Sequence, residues 1–166
     1  MKEQTKGIAP LIAAVQIEDI RLTEATVRTK IRSPKDVDEV DLVIDTSASV
    51  KEHHEGGPFV VLAVIDAKLV PRKSPENAAV SIKAGFELRY SLRAEFAVSR
   101  RDLNTFAQIN SVFNVWPYWR EFIQSMMARM HLPPVVLPVF RVREAAKRIS
   151  KKGSSMKSNS SSVLTD

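Results

Sequence analysis

The chain has 166 residues, 44% of them hydrophobic, which is enough for one domain with a single core. It has no cysteine, so disulfides, thiolate metal sites and cysteine nucleophiles are excluded. Its net charge is +6, but residues 141–166 hold seven of the 25 Lys and Arg side chains and two of the 19 acidic ones, so residues 1–140 are nearly neutral. No apolar run approaches the roughly 20 residues that span a bilayer, and we expect a cytoplasmic protein without membrane insertion.

The first two predicted strands each have one apolar face. In the first, the apolar residues switch from odd-numbered to even-numbered positions between Ile17 and Ile20, which predicts a β-bulge near Glu18. In the second, residues 40–47, apolar side chains recur at every second position and carboxylates lie between them. We therefore expect one face of this strand to be buried and the other to be solvated.

Two further strands are predicted before residue 100. Residues 58–70 are apolar on both faces in their first half, as expected of a strand in the interior of a sheet. From Phe86 to Val98, apolar and polar residues alternate over a stretch too long for a helix to imitate. The linkers between the four strands are short and rich in Pro, Gly and charge, which predicts antiparallel neighbours.

After Arg100 the apolar spacing becomes helical. Leu103, Phe106 and Ile109 predict a short helix, and Pro117 is typical of the first turn of a second, longer one. The longer helix has an apolar stripe of Tyr118, Phe122, Met126 and Met130, widened by Trp119, Ile123 and Met127. An extended Leu-Pro-Pro-Val segment follows it.

Strands that precede helices predict an α+β fold, in which a four-stranded antiparallel sheet is followed by a short and a long helix. Two helices cover such a sheet incompletely, so we expect oligomerisation to complete the core. The expected domain covers residues 11–140, after a flexible N-terminus (1–10) and before a basic tail (141–166) whose Ser, Lys and Asn content predicts disorder.

The chain shows no pattern for catalysis or for a cofactor. No glycine elbow surrounds a serine, and there is no glycine-rich phosphate loop. His53 and His54 are adjacent in a glycine-rich loop and lack the one-face spacing of a closed metal site. We therefore expect neither an enzyme nor a metal or cofactor site.

Three passages resemble the SecB family, the tetrameric export chaperones that hold unfolded polypeptides. VDLVIDTSAS (residues 40–49) is similar to the family's second strand, and FELRYSLRAEFAV (residues 86–98) is similar to its fourth. Residues 116–140 resemble the family's long helix and its exit, with an aromatic-Pro-Tyr start, an apolar helix, and then Pro133 and Pro134. The passages occur in the family's order and together cover most of the expected domain.

The resemblance implies a homotetramer, built as a dimer of dimers, whose apolar grooves hold non-native polypeptides without ATP or a metal. Clients would be exported proteins or one dedicated partner such as an antitoxin. The candidate client-binding residues are Val43, Leu103, Phe106, Ile109, Phe122 and Met126. Three of these, Leu103, Phe106 and Ile109, lie on the short helix. Packing of that helix against the sheet would account for their apolar side chains equally well. The candidate oligomer interface is Trp119, Ile123, Met127 and Met130, for which burial in the core is the alternative.

The sheet face that docks the export ATPase SecA in the family differs here in charge. That face is acidic in the family; Asp19 keeps one acidic residue, whereas Thr23 and Arg89 replace two others. Reversed charge on a docking surface disfavours the old partner. We therefore expect Asp19 and Arg89 to mark a docking face on which SecA binding is weakened.

The basic tail supports one alternative, a non-enzymatic adaptor for nucleic acid or the ribosome. A cationic segment containing Lys147, Arg148, Lys151 and Lys152 would bind phosphate without sequence preference. Against this, the Trp and Tyr side chains lie in apolar surroundings rather than between Lys and Arg, as in stacking platforms. We expect polypeptides rather than nucleic acid as partners.

Overall fold

One antiparallel sheet contains all four strands, which are β1 (Val15–Thr29), β2 (Val40–His53), β3 (Phe59–Pro71) and β4 (Val80–Leu92). The strands lie in the order β1-β4-β3-β2, so β3 and β4 are central and β1 and β2 are the edges. The interior position predicted for β3 is confirmed. A computed structural model describes residues 8–33, 39–54, 57–93 and 98–140. The predicted tail and most of the predicted flexible N-terminus lie outside these ranges.

The ladder between β1 and β4 is interrupted twice. Its register skips Glu18, which confirms the β-bulge predicted near that residue. It also skips Thr23, where no bulge was predicted. Each extra residue reverses the parity of the residues that follow, so Ile17 and Ile20 lie on the same face of the sheet.

The fourth strand ends at Leu92, which lies opposite Val15, the first residue of β1. The alternation predicts a strand as far as Val98, but residues 94–97 of that stretch lie outside the described ranges. The amide of Arg93, directly after the strand, donates to the carbonyl of Ala14 at 3.1 Å.

Helices precede and follow the sheet. The sequence pattern does not predict the first, α1 (Ala9–Ala14), which places Leu11 in the core. From Arg100 onward the chain is helical without a break as far as Arg129, as α2 (Arg100–Phe106), a π-helical segment (Ala107–Ser111) and α3 (Val112–Arg129). Ser99 caps α2, because its hydroxyl accepts a hydrogen bond from the amide of Asp102 at 3.1 Å. The predicted short and long helices are thus confirmed.

Pro117 lies within α3, so the prediction that it opens the helix is wrong. A proline here leaves the carbonyl of Phe113 without its intrahelical donor, at a cost of about 3 kcal/mol in a helix interior. The π-helical segment already delivers the chain to α3 in a helical conformation, so no start signal is needed at this point. Pro117 is exposed, which keeps its ring outside the core.

The helices pack on one face of the sheet, mainly over β2, β3 and β4. An aromatic cluster lies at the centre of this contact. The rings of Phe59 and Tyr90 stack with centroids 4.9 Å apart, and Phe106 meets both edge-on at 5.8 and 5.1 Å. All three side chains are buried, so one face of the sheet and one face of the helices share a single core.

A buried polar cluster joins the sheet to the π-helical segment. The hydroxyl of Tyr90 donates to Ser111 Oγ at 3.0 Å and accepts from Asn114 Nδ2 at 3.1 Å. Burial raises the pKa of Tyr90, and the hydrogen bonds that its hydroxyl makes with Ser111 and Asn114 offset part of that rise. The neutral phenol is therefore the form that the folded chain stabilises.

Raising the pH above about 10 should destabilise the protein through Tyr90. Because burial raises the pKa of Tyr90 in the folded chain, its contribution to stability is complete below the unfolded pKa and is lost as the pH rises through the folded pKa. In urea unfolding at about pH 8 and about pH 11, Tyr90→Phe should lose less stability between the two conditions than the wild type. Tyr118→Phe, at an exposed tyrosine, is the control. An equal loss in the wild type and in Tyr90→Phe would contradict this expectation.

Candidate functional site

An apolar stripe on β1 is left open. Ile17, Leu22 and Val27 each lie opposite a buried residue of β4, on the face that the helices cover. They are nevertheless 41%, 47% and 36% exposed, because the helices lie mainly over the other three strands. We call these three residues the open stripe. Contiguous exposed apolar surface is typical of an interaction site.

The buried face of α3 is centred on Trp119, Ile123 and Met127, each at most 2% exposed. With Met130, these residues form the predicted oligomer interface. Their side chains are already buried in the core of one chain, so Met130, which is half-buried, is the member that a second copy can reach. The structure therefore assigns the other three to the core.

The apolar stripe predicted on this helix lies on the shoulder of the buried face. Tyr118 is 51% exposed, and Phe122 and Met126 follow it as half-buried residues. A row of residues four apart drifts around a helix by about 40° per step, so the row begins in solvent and approaches the core. We call Tyr118, Phe122 and Met126 the α3 shoulder.

The candidate client-binding residues do not form one site. Three of them lie in the core: Leu103 is 1% exposed, Phe106 1% and Ile109 4%. Val43 is 44% exposed, but it points to the outer face of the sheet, away from the helices. Phe122 and Met126 remain as part of an accessible surface on the helix side, the α3 shoulder.

Charges on the outer face of the sheet are paired between strands. Asp19 of β1 lies opposite Arg89 of β4, so the structure brings the two predicted docking residues together. Beside them, Arg21 and Glu87 form a hydrogen-bonded ion pair. Opposite charges that face one another leave this region without a dominant sign, so it is poorly suited to steering a charged partner.

Residues 132–140 form a strap, outside any helix or strand, that runs back along α3. Leu132 and Leu137 of the strap are buried, and α3 side chains donate hydrogen bonds to two of its backbone carbonyls. The Leu-Pro-Pro-Val sequence predicts extended chain here. It does not predict the position of that chain, because prolines fix φ without specifying a neighbour.

Among the described residues, no group of three His, Asp or Glu side chains is placed to hold a metal ion. His53 and His54 are exposed at the end of β2. No helix within the described ranges is long and apolar enough to cross a membrane.

No family model matches the sequence. An uncharacterized protein of Methanocaldococcus jannaschii is 33% identical over 101 residues, and the match spans 60% of this chain and 60% of that relative's length. Among solved structures, the Mycobacterium tuberculosis SecB-like chaperone Rv1957, in complex with a ChAD peptide from the HigA1 antitoxin, has a TM-score of 0.69 and 22% identity, covering 80% of this chain and 95% of its own. A protein of unknown function from Streptococcus agalactiae has a TM-score of 0.46 and 9% identity, covering 75% of this chain and 96% of its own.

The likeness to the SecB-like chaperone extends over most of both chains. It agrees with the observed order of elements, in which a four-stranded antiparallel sheet is followed by a short and a long helix. The architecture predicted from the sequence is therefore confirmed: the chain has the SecB-like fold.

Proposed function

We propose that this protein is a cytoplasmic, ATP-independent holdase without enzymatic activity, which binds non-native polypeptides. The observation that carries the proposal is the accessible apolar surface on the helix side of a SecB-like fold, the α3 shoulder. The solved SecB-like chaperone binds a peptide from an antitoxin. Unfolded chains expose apolar side chains and unpaired amides, which apolar surfaces and sheet edges satisfy with little sequence selectivity.

We propose further that identical subunits assemble, with a dimer of dimers as the expected form. β1 is an edge strand of 15 residues, and an unprotected edge of this length is a template for pairing with another chain. The open stripe follows the same strand, so antiparallel pairing of two β1 strands would bury both stripes. The α3 shoulder would then remain for clients, with Phe122 and Met126 in the client-binding role and Val43 as a separate contact on the outer face.

The client is proposed to be an exported protein or a dedicated partner such as an antitoxin. The opposed charges of Asp19 and Arg89 support weakened docking of SecA. The alternative function, an adaptor for nucleic acid or the ribosome, depends on residues 141–166. These residues lie outside the described ranges, so that function stays a prediction of the sequence.

The purified protein should slow the aggregation of a chemically denatured protein, and adding ATP should make no difference. Tyr118→Ser should reduce this protection several-fold, because it removes the most exposed apolar side chain of the α3 shoulder. Glu121→Ser, at an exposed position of the same helix, is the matched control. Light scattering follows the aggregation, and urea unfolding checks that the variants keep their fold. Aggregation at the same rate with and without the wild-type protein would refute the proposal.

A further inference from the structure

The strap runs antiparallel to α3. Gln124 contacts Val135, and Trp116, earlier in the helix, contacts Pro138 later in the strap. The eight residues between the two helix positions rise about 12 Å, and three extended residues span about 9 Å, so the segments lie side by side. The chain reverses at His131, whose backbone is left-handed with φ 55°.

Helix α3 holds the strap by its carbonyls rather than by a β-ladder. Gln124 Nε2 donates to the carbonyl of Val135, and Trp116 Nε1 donates to that of Pro138 at 3.1 Å. Within the described part of the chain, the strap makes no backbone-to-backbone hydrogen bond after that of Leu132. Every polypeptide carries carbonyls, so these two contacts recognise extended backbone rather than a particular sequence.

Two leucines anchor the strap. Leu132 and Leu137 are 8% and 5% exposed, whereas Val136 and Val139 are 91% and 75% exposed. At the end of the strap, Phe140 packs against α3. Its ring centroid lies 5.3 Å from that of Trp116 and 6.4 Å from that of Phe113. Spaced apolar side chains on an extended backbone are also what an unfolded client offers.

We propose that the flank of α3 bearing Phe113, Trp116 and Gln124 is a peptide-binding surface. The strap is its resting occupant, and an extended apolar segment of a client takes the strap's place. This inference rests on the proposed holdase function. The flank lies on the other side of the buried face from the α3 shoulder, so it adds a second client contact to the one already proposed. The strap meets this flank through the carbonyls of Val135 and Pro138 and the ring of Phe140, so the flank fits a peptide segment that ends in an apolar side chain.

A labelled peptide with the sequence of residues 132–140 and blocked ends tests the surface without any client. Leu137→Ser should release the strap, and this variant should bind the peptide at least about tenfold more tightly than the wild type. Val136→Ser, at the exposed neighbouring position, is the matched control and should bind as the wild type does. Adding Trp116→Phe to Leu137→Ser should weaken binding several-fold, because the Nε1 donor is lost. Equal binding by the wild type and Leu137→Ser would overturn the inference.

A reduced, carboxymethylated protein that cannot refold serves as the client. It should displace the labelled peptide from Leu137→Ser, which would support a shared surface. If it binds but leaves the peptide in place, clients bind elsewhere, and the inference fails while the holdase function stands. If it binds no variant, the proposed function fails as well.

Two further measurements test whether the Leu137→Ser variant folds and whether it self-associates. Circular dichroism checks the fold of Leu137→Ser; if that variant does not fold, Leu137→Ala should shift peptide affinity in the same direction by a smaller factor. Light scattering follows the mass of the variant. An increase in mass that the peptide reverses would make the strap of a second copy the occupant, which would overturn the proposal of a client.

Discussion

Trp119→Ala should lower the free energy of unfolding by about 3–5 kcal/mol, the largest loss of stability that we expect from one substitution. Trp119 is fully buried within one chain and packs beside Phe122, with ring centroids 6.0 Å apart. Its Nε1 has no hydrogen-bond partner among the described residues, so the loss is one of packing. Close-packed neighbours refill such a cavity only in part.

Urea unfolding of Trp119→Ala and Tyr118→Ala measures this difference. Tyr118 is the exposed neighbour on the same helix, and its removal should change the free energy of unfolding by about 0.5 kcal/mol or less. If Trp119 belonged to a subunit interface instead, its removal would lower the molecular mass, and the loss of stability would depend on protein concentration. That result would contradict the placement of Trp119 in the core.

Leu22→Lys should dissociate the proposed assembly into folded monomers of 18.6 kDa. Leu22 is the most exposed member of the open stripe, and two copies would meet where two β1 strands pair. Each lysine both removes apolar surface from the contact and places a charge there. For the two copies together we expect a loss of about 3 kcal/mol, which is roughly a 100-fold weaker association.

Gln16→Lys is the matched control, because it adds the same charge to the opposite face of the same strand. Gln16 lies opposite Ser91 on the outer face, so this variant should keep the mass of the wild type. Light scattering over a range of protein concentrations gives the mass, and circular dichroism shows whether each variant is folded. A Leu22→Lys variant with the mass and concentration dependence of the wild type would refute pairing through β1.

The strands were predictable because their signal is local. Side chains alternate between faces with period two, so the parity change between Ile17 and Ile20 reveals the bulge at Glu18. The second bulge, at Thr23, left a similar signal in the opposite parities of Leu22 and Val27, but the weakly apolar Ala25 between them obscures it.

The candidate site was predicted less completely than the fold. Apolar spacing identified Trp119 and Phe122 alike, yet Trp119 is buried and Phe122 lies on the accessible shoulder. A difference of a few residues rotates a side chain from the core to its edge, and spacing alone does not fix the orientation of the helix on the sheet. The resemblance to SecB singled out Asp19 and Arg89 separately, but only the strand register shows that they face each other.

The sequence by itself determined the four strands, the short and the long helix that follow them, the α+β order, and the near-neutral charge of residues 1–140, since each of these depends on residues close together in the chain or on composition. Only the tertiary structure decided which apolar residues stay open. The open stripe exists because the helices lie mainly over β2, β3 and β4, and the strap lies on α3 because two donors and two apolar contacts meet it there. Both features are contacts between segments distant in sequence, whose geometry local patterns do not specify.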